Sequence, residues 1–324
     1  MDCIDFYKQP AFDHPLLKNH TVQMGPKPYL ARGKRSSITK KQLQTNSTDK
    51  SCPIGTVPIR RTTKEDLLKA RTLKMPAVST GIRQPSHLVF VSMERHVGEK
   101  FRGVRGIFSL YDLLSGVNND QSTTTNVWVQ GGPIEHKNYI TAGSMADGGH
   151  SIGCFNLRCP GFVQVHHEIT PGRVLSPVSK YDGPTYDFKV IMNQDKDTKN
   201  WVFTAFQEEI VVGYLPSELL PFLKDGAELI AWGGVARSGS NGVTPPMGSG
   251  FQPVGPYRRY DRAAYFKFIN YYDENYIKQV PSFSDSQERV DSSNCFALLS
   301  SNTESRRESF LFGGPGGRCG NIPP

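Results

Sequence analysis

Residues 149–153, Gly-His-Ser-Ile-Gly, spell the G-x-S-x-G motif that places a serine nucleophile between a strand and a helix. In hydrolases with this motif, an acid and then a histidine follow the serine along the chain. Here the last histidines stand at 166–167, and no carboxylate lies between them and Ser151. Cys154 and Cys159 follow at once, and their spacing favours a small stapled loop over a helix. We therefore interpret Ser151 as a turn residue.

The histidines form no recognisable metal site. His166 and His167 fall in a predicted strand over 161–169, where adjacent side chains point to opposite faces. His136 and His150 could join one of them only through a fold that the spacing does not show. The chain contains neither H-E-x-x-H nor C-x-x-C. We predict no metal ion and no cofactor.

Paired carboxylates could do acid–base chemistry, since one can activate water while the other protonates a leaving group. Glu208 and Glu209 are adjacent at a strand junction and so form a poor pair. Asp147, Glu168 and Glu228 are scattered along the chain. Spacing alone therefore nominates no catalytic pair.

The elements that must position any site are predicted to be strands. A short helix is predicted over 216–224, and an amphipathic helix begins at a capping box formed by Thr62 and Glu65. Many short strands between Gly and Pro turns predict an all-β fold, an antiparallel β-sandwich preceded by a mostly irregular N-terminal segment. Period-two alternation indicates strands over 87–93, 104–111, 124–130, 161–169, 185–193, 200–206, 209–215, 227–235, 263–272, 295–300 and 308–314.

The net charge of +8 arises at the N-terminus, because residues 1–80 carry 15 Lys/Arg against 6 Asp/Glu. This segment is either a solvated basic stretch or a complement to an acidic surface on the same chain. The chain lacks a nucleic-acid-binding module and an apolar run of membrane-spanning length, so we expect neither nucleic acid nor membrane as a partner.

The six cysteines lie in three local pairs along the chain, Cys3 with Cys52, Cys154 with Cys159, and Cys295 with Cys319. Two glycosylation sequons begin at Asn19 and Asn46. Both features indicate an oxidising, secretory compartment, although the first residues form no signal peptide. The chain is thus either cytosolic with free thiols or lacks its true start, and we favour the second interpretation.

Several segments together resemble the plant neprosin family over nearly the whole chain. The resemblance implies a signal peptide, an activation segment and a secreted β-sandwich glutamic endopeptidase that cleaves at proline. The segments YKQPAFDHPLLKNH and CPIGTVPIRRT resemble the activation segment. Six further segments resemble the peptidase domain of the family: GCFNLRCPGFVQ, SPVSKYDGPTYD, VVGYLPSEL, AWGG, MGSG and FGGPGG.

The residues that carry catalysis depart from the family pattern. The family has one glutamate in an I-E-A-G-W stretch, where this chain has Thr141 and, at the tryptophan, Ser144. The second glutamate follows W-G-G, where this chain has Val235. Neither Thr141 nor Val235 can hold or deliver a proton. A strand hairpin that the family carries before Cys154 is also missing, either in the protein itself or through a gene model that lacks an exon.

We therefore predict an activation-type segment over 1–75, a linker over 76–84 and a neprosin-type domain over 85–324 in which no catalytic residue is intact. The protein is expected to be a secreted monomer and an inactive member of the family. The alternatives are a binding module for proline-rich or cell-wall ligands, and an active enzyme that uses Glu209 or Glu228 instead.

Overall fold

The computed structural model of the 324-residue chain describes residues 1–24, 51–61, 86–95, 98–112, 116–118, 120–146, 160–254, 259–300 and 308–320. Short 3-10 helices occupy Phe6–Lys8, Pro10–Asp13, Pro15–Leu17, Ile134–His136 and Ser217–Leu219. The strands are β1 (Asp2–Asp5), β2 (Thr56–Ile59), β3 (Ser86–Glu94), β4 (Gly103–Ser109), β5 (Ser122–Gly131), β6 (Asn138–Ala146), β7 (Val163–Gln164), β8 (Asp187–Gln194), β9 (Trp201–Ala205), β10 (Ile210–Leu215), β11 (Leu229–Arg237), β12 (Ala264–Tyr272), β13 (Lys278–Gln279), β14 (Ser286–Val290), β15 (Ala297–Ser300) and β16 (Ser309–Gly313).

In the part of the chain just given, the strands form two large antiparallel sheets and one two-stranded ribbon. The five-stranded sheet has the order β14-β3-β11-β5-β6. The nine-stranded sheet has the order β15-β16-β12-β4-β8-β9-β10-β7, with β13 paired to β12. Strands β1 and β2 form the ribbon. The predicted all-β class and its mostly irregular N-terminal segment are thereby confirmed.

The core lies between the two large sheets. Val127 and Trp232 from the five-stranded sheet share one buried cluster with Phe108, Val190 and Phe266 from the nine-stranded sheet. The hydrophobic residues that predicted the strands thus face one another across the sandwich, as their alternation requires.

The N-terminal segment docks on the nine-stranded sheet. The Gln9 side chain mimics a strand neighbour, because its Nε2 donates to Gln164 O (3.1 Å) while its Oε1 accepts from Gln164 N (2.7 Å). The Tyr214 hydroxyl accepts from Gln23 N (2.8 Å) and lies 2.9 Å from His20 Nε2. Further along the chain, Cys52 N donates to the carbonyl of His167, the residue after His166 (3.0 Å). These bonds fasten the segment to β7, to β10 and to the residues that follow β7.

One docking contact should depend on pH, because it adjoins His166. The His166 Nδ1 accepts from Glu168 N (3.1 Å) and Ile169 N (3.0 Å), which requires the ring to be unprotonated there. Burial, and then the neighbouring His167, lower the pKa of His166 below its ordinary 6.5. The resulting stabilisation is present above pH 6.5 and is lost as the pH falls below it. We expect the protection factor of the Cys52 amide against hydrogen exchange, which corrects for the intrinsic pH dependence of exchange, to fall in that window.

The matched comparison uses two histidine variants. His166→Asn, whose side-chain oxygen remains an acceptor at every pH, should flatten the pH dependence of the Cys52 protection factor. His136→Gln, in the exposed turn Ile134–His136, should leave that dependence unchanged. An unaltered profile in His166→Asn would contradict this account.

Two sequence predictions about local structure are wrong, and two others lie outside the described residues. The predicted helix over 216–224 is only the 3-10 turn Ser217–Leu219, since Pro221 lacks an N–H and disfavours the helical conformation of the residue before it. The predicted strand over 161–169 is only Val163–Gln164. The predicted helix beginning at Thr62 lies outside the described residues, as does the linker over 76–84.

The structure contains two of the predicted disulfides, Cys3–Cys52 and Cys295–Cys319. The first closes the β1–β2 ribbon, and the second ties the start of β15 to the residues after β16. The predicted Cys154–Cys159 bond lies outside the described residues.

Candidate functional site

The five-stranded sheet presents one face away from the core. On β11, Ile230, Trp232 and Ala236 are buried in the core, so the alternate residues project from the opposite side. We call this opposite side the outer face; it carries Phe90 on β3, Val235 on β11, Trp128 on β5 and Thr141 on β6, as the strand registers place them.

Thr141 and Val235 both lie on the outer face, two strands apart. Val235 pairs with Thr124 of β5, and Thr141 pairs with Trp128 of the same strand. For strands about 4.8 Å apart with a rise of about 3.4 Å per residue, their Cα atoms are about 17 Å apart in a flat sheet. The two positions that the family resemblance singles out therefore flank one stretch of sheet surface.

Between these two positions lies a row formed by Gly233, Asn126 and Gly143, which we call the glycine row. A Cβ on Gly233 would overlap the carbonyl of Val89, and a Cβ on Gly143 would overlap that of Thr125. No side chain fits at either position, so the row forms a shallow depression in which Asn126 supplies the polar side chain.

Aromatic residues border the depression. The rings of Phe90 and Trp128 meet edge to face with centroids 5.4 Å apart and an interplanar angle of 76°. Both side chains are partly exposed. Such a pair offers a rigid apolar surface on which a ring-shaped or extended ligand can pack.

The outer face has few charged residues. Among its described strand positions, they are Glu94 at one end of β3, Arg237 at the last residue of β11, and Arg289 on β14. Glu94 pairs with Leu229, one row further from the glycine row than the row of Thr141. It also lies on β3, three strands away from β6, which carries Thr141. No described carboxylate of these strands therefore borders the glycine row.

The two alternative catalytic carboxylates lie elsewhere and are ion-paired. Glu209 follows the turn after β9, in the other sheet, with its Oε1 2.7 Å from Lys189 Nζ and 3.4 Å from Arg105 Nη2. Glu228 accepts from Lys100 Nζ (2.6 Å) and Gly132 N (3.0 Å). The hydrogen bond from Lys100 is the main reason that the pKa of Glu228 lies below its ordinary value. The structure does not bring Glu209 and Glu228 together.

Other sequence-predicted groups are placed as follows. His150, Ser151 and Asp147 lie outside the described residues. The prediction that His166 and His167 face opposite ways is wrong, because the strand ends before them and their rings stack with centroids 5.1 Å apart.

The described ranges contain neither a metal-binding cluster nor a membrane-spanning helix. No group of three or more His, Cys, Asp or Glu side chains there is arranged to hold a metal ion. No helix in the same ranges is long and apolar enough to cross a membrane.

Strand β6 is the last strand of its sheet in the part of the chain that the structure describes. The hairpin that the resemblance leads one to expect after β6 would follow Ala146, where this chain instead runs to Cys154 within a few residues. Ser144 alternates with Gly143 and so faces the core side, where the family pattern has a tryptophan. Among the described residues, the outer face therefore ends at β6.

Sequence reasoning missed three features of this face, Asn126, the Phe90–Trp128 pair and Arg237. Asn126 and Trp128 are two residues apart on one predicted strand, so their common face was visible in the sequence. Their proximity to Phe90 and to the glycine row depends on the pairing of distant strands, which no local pattern gives.

The comparison with protein families agrees with both parts of the structure. Residues 1–94 match the family model described as Neprosin activation peptide, which includes the docked N-terminal segment. Residues 134–315 match the model described as Neprosin, which includes β6 and β11 with Thr141 and Val235. This second match spans more than half of the chain, and together the two matches show that the chain belongs to the neprosin family.

Proposed function

We propose that this protein is an extracellular, catalytically inactive member of its family that binds proline-containing peptides on the outer face of the five-stranded sheet. The observation that carries the proposal is the absence of a carboxylate beside the glycine row, among the strand residues described, on a face that keeps its depression and its aromatic border.

The first support for an inactive protein is that positions 141 and 235 carry no group that can transfer a proton. A glutamic peptidase needs one carboxylate to activate water and a carboxylic acid to protonate the leaving nitrogen. Thr141 offers only a hydroxyl with a pKa far above neutrality, and Val235 offers no polar atom. The substitutions therefore remove both proton-transfer groups from the positions that flank the depression.

An active enzyme that uses Glu209 or Glu228 is the rival proposal, and their surroundings weigh against it. Glu228 is held ionised by Lys100 and Gly132 N, so it is unsuited to donate a proton. Glu209 is bound by Lys189 and Arg105 on the other sheet. A single reacting peptide bond cannot lie between carboxylates on two different sheets of the sandwich.

The binding role rests on the surface that remains. Prolyl rings stack readily on exposed aromatic side chains, and extended proline-rich segments lose little conformational entropy on binding. The Phe90–Trp128 pair supplies such a surface beside the depression. Asn126, which donates from Nδ2 to Thr124 Oγ1 (2.8 Å), presents its amide oxygen toward Gly143 at the floor.

The extracellular location is supported by the two disulfides and by the exposure of Asn19, the first residue of a glycosylation sequon. Asn46, the asparagine of the second sequon, lies outside the described residues.

The test combines cleavage and binding on the full chain. A fluorescein-labelled, proline-containing octapeptide is incubated with the protein in acid and analysed by mass spectrometry, and its affinity is measured by fluorescence polarisation. We expect no cleavage, and we expect Trp128→Ala to weaken binding about tenfold, the loss of about 1.4 kcal/mol of aromatic contact.

Phe268→Ala is the control, because Phe268 is an exposed aromatic residue on β12 of the other sheet. It should leave the affinity unchanged. Cleavage that survives in Glu209→Gln and Glu228→Gln would overturn the inactive assignment, and equal effects of Trp128→Ala and Phe268→Ala would overturn the binding surface.

A further inference from the structure

Arg237 is the one cation on the central strand of the outer face within the part of the chain that the structure describes. It alternates with the buried Ala236 and therefore projects from the same face as Val235. Ser86 and Ser122 flank it on the neighbouring strands. The strand positions on either side of Arg237 are thus occupied by small hydroxyl residues.

The guanidinium of Arg237 forms no hydrogen bond and no ion pair with the described residues, and its Nη1 is enclosed without an acceptor. Burial lowers the pKa of Arg237 from its ordinary value, and the charge of Asp120 opposes this shift without cancelling it. A guanidinium without an acceptor costs free energy that an anion bound to its N–H groups other than the enclosed Nη1 would return.

Asp120 does not use up these donors. Its Oδ2 accepts from Ser240 N (2.7 Å) and from Ser240 Oγ (2.7 Å), so the carboxylate is held by the loop after β11. It attracts Arg237 through space but does not approach within ion-pair distance. The attraction keeps the guanidinium in place and leaves its N–H groups for another acceptor.

Two loops meet beside Arg237 at one end of the outer face. The loop before β5 and the loop after β11 are joined by the Asp120–Ser240 bonds and by Gln121 Nε2, which donates to Val243 O (2.7 Å). A peptide that lies along β11 and reaches Arg237 therefore meets two linked loops. A chain that ends at this point fits the site, whereas a longer chain must turn away from the sheet.

We propose that Arg237 binds the terminal carboxylate of a peptide whose preceding residues lie across the glycine row and the Phe90–Trp128 pair. The ligand class is peptides with a free C-terminus. The inference rests on the proposed peptide-binding function and adds to it the orientation of the ligand and the group that ends it.

The dimensions of the outer face agree with a peptide of moderate length. Ala231, which pairs with Trp128, lies six residues before Arg237 on β11, about 20 Å for an extended strand. About six extended peptide residues cover this distance. A peptide carboxylate at Arg237 thus places a residue about six positions upstream against the aromatic pair.

The experiment compares two versions of one peptide, the proline-containing octapeptide with a free C-terminal acid and the same peptide as its C-terminal amide. Both are measured on the full chain by fluorescence polarisation. We expect the acid to bind at least about tenfold more tightly than the amide, because a charge-assisted bond from guanidinium to carboxylate is among the strong ones. Arg237→Gln should reduce the affinity for the acid to that for the amide, which should itself stay unchanged.

Arg289→Gln is the matched control, since Arg289 is an exposed arginine on the same face. It should leave the ratio of the two affinities unaltered. Thermal unfolding of Arg237→Gln should match that of the parent protein, because no described partner loses a bond.

The possible outcomes separate the two proposals. Equal binding of acid and amide to the parent protein overturns the assignment of Arg237 and leaves the peptide-binding function standing. Binding of neither peptide overturns the peptide-binding function and this inference with it. A preference for the acid that survives in Arg237→Gln also overturns the assignment.

Discussion

Replacing Trp232 with alanine should lower the free energy of unfolding by about 3–5 kcal/mol, the range for removing a large buried aromatic side chain. Trp232 is fully buried in the cluster between the two sheets. Its Nε1 donates to the carbonyl of Arg105 on β4 (2.8 Å), so it joins the sheets by a hydrogen bond as well as by packing. Urea unfolding followed by circular dichroism measures the loss.

Two further variants divide this effect into its parts. Trp232→Phe keeps most of the volume but leaves the Arg105 carbonyl without its donor, so it should cost about 1–3 kcal/mol. Trp128→Ala removes a tryptophan of the same sheet from the outer face and should cost less than Trp232→Ala, because Trp128 is partly exposed. Equal losses for Trp128→Ala and Trp232→Ala would contradict the assignment of the two faces.

The sequence predicts the strands well where apolar and polar residues alternate strongly. The segment HLVFVSM predicts β3, and NWVFTAF predicts β9 with small errors at the ends. The sequence does not predict β6, because NYITAGSMA contains a glycine and small residues and presents its exposed side to the outer face. An edge strand of this kind buries too little to show a clear apolar alternation.

The candidate site could be located from the sequence only at the level of single positions. Thr141 and Val235 were identified by resemblance, but their common face follows from the register of β11, β5 and β6. That register joins residues about a hundred positions apart in the chain. The proposed role of Arg237 cannot be predicted from the sequence either. It rests on the absence of hydrogen bonds between its guanidinium and the described residues around it.

Restoring both carboxylates, in the double variant Thr141→Glu and Val235→Glu, should produce peptidase activity, which we propose that the parent protein lacks. The two positions flank the glycine row, so a peptide bond held over that row would lie between the new groups. Position 235 is two residues from Arg237 on the same face, about 7 Å away, which favours an ionised carboxylate there. Position 141 has no described cation beside it on β6, so the group placed there is better suited to remain protonated.

These two environments make the expected result specific. General acid and general base catalysis each contribute about 10²- to 10⁴-fold, so neither single variant should cleave the proline-containing octapeptide measurably, and the double variant should. The rate should peak in acid, where one carboxyl group is protonated and the other ionised, and mass spectrometry of the peptide over time measures it.

The matched control is Thr141→Gln with Val235→Gln, which has the same shape but cannot exchange protons, and it should be inactive. Circular dichroism establishes that each variant is folded. A folded double glutamate variant that binds the peptide as tightly as the parent protein but does not cleave it would contradict the placement of Thr141 and Val235 on either side of one peptide bond. Cleavage by the single variant Val235→Glu would show instead that an existing group already serves as the acid, and Glu94 is the carboxylate on the outer face that would then have to be tested.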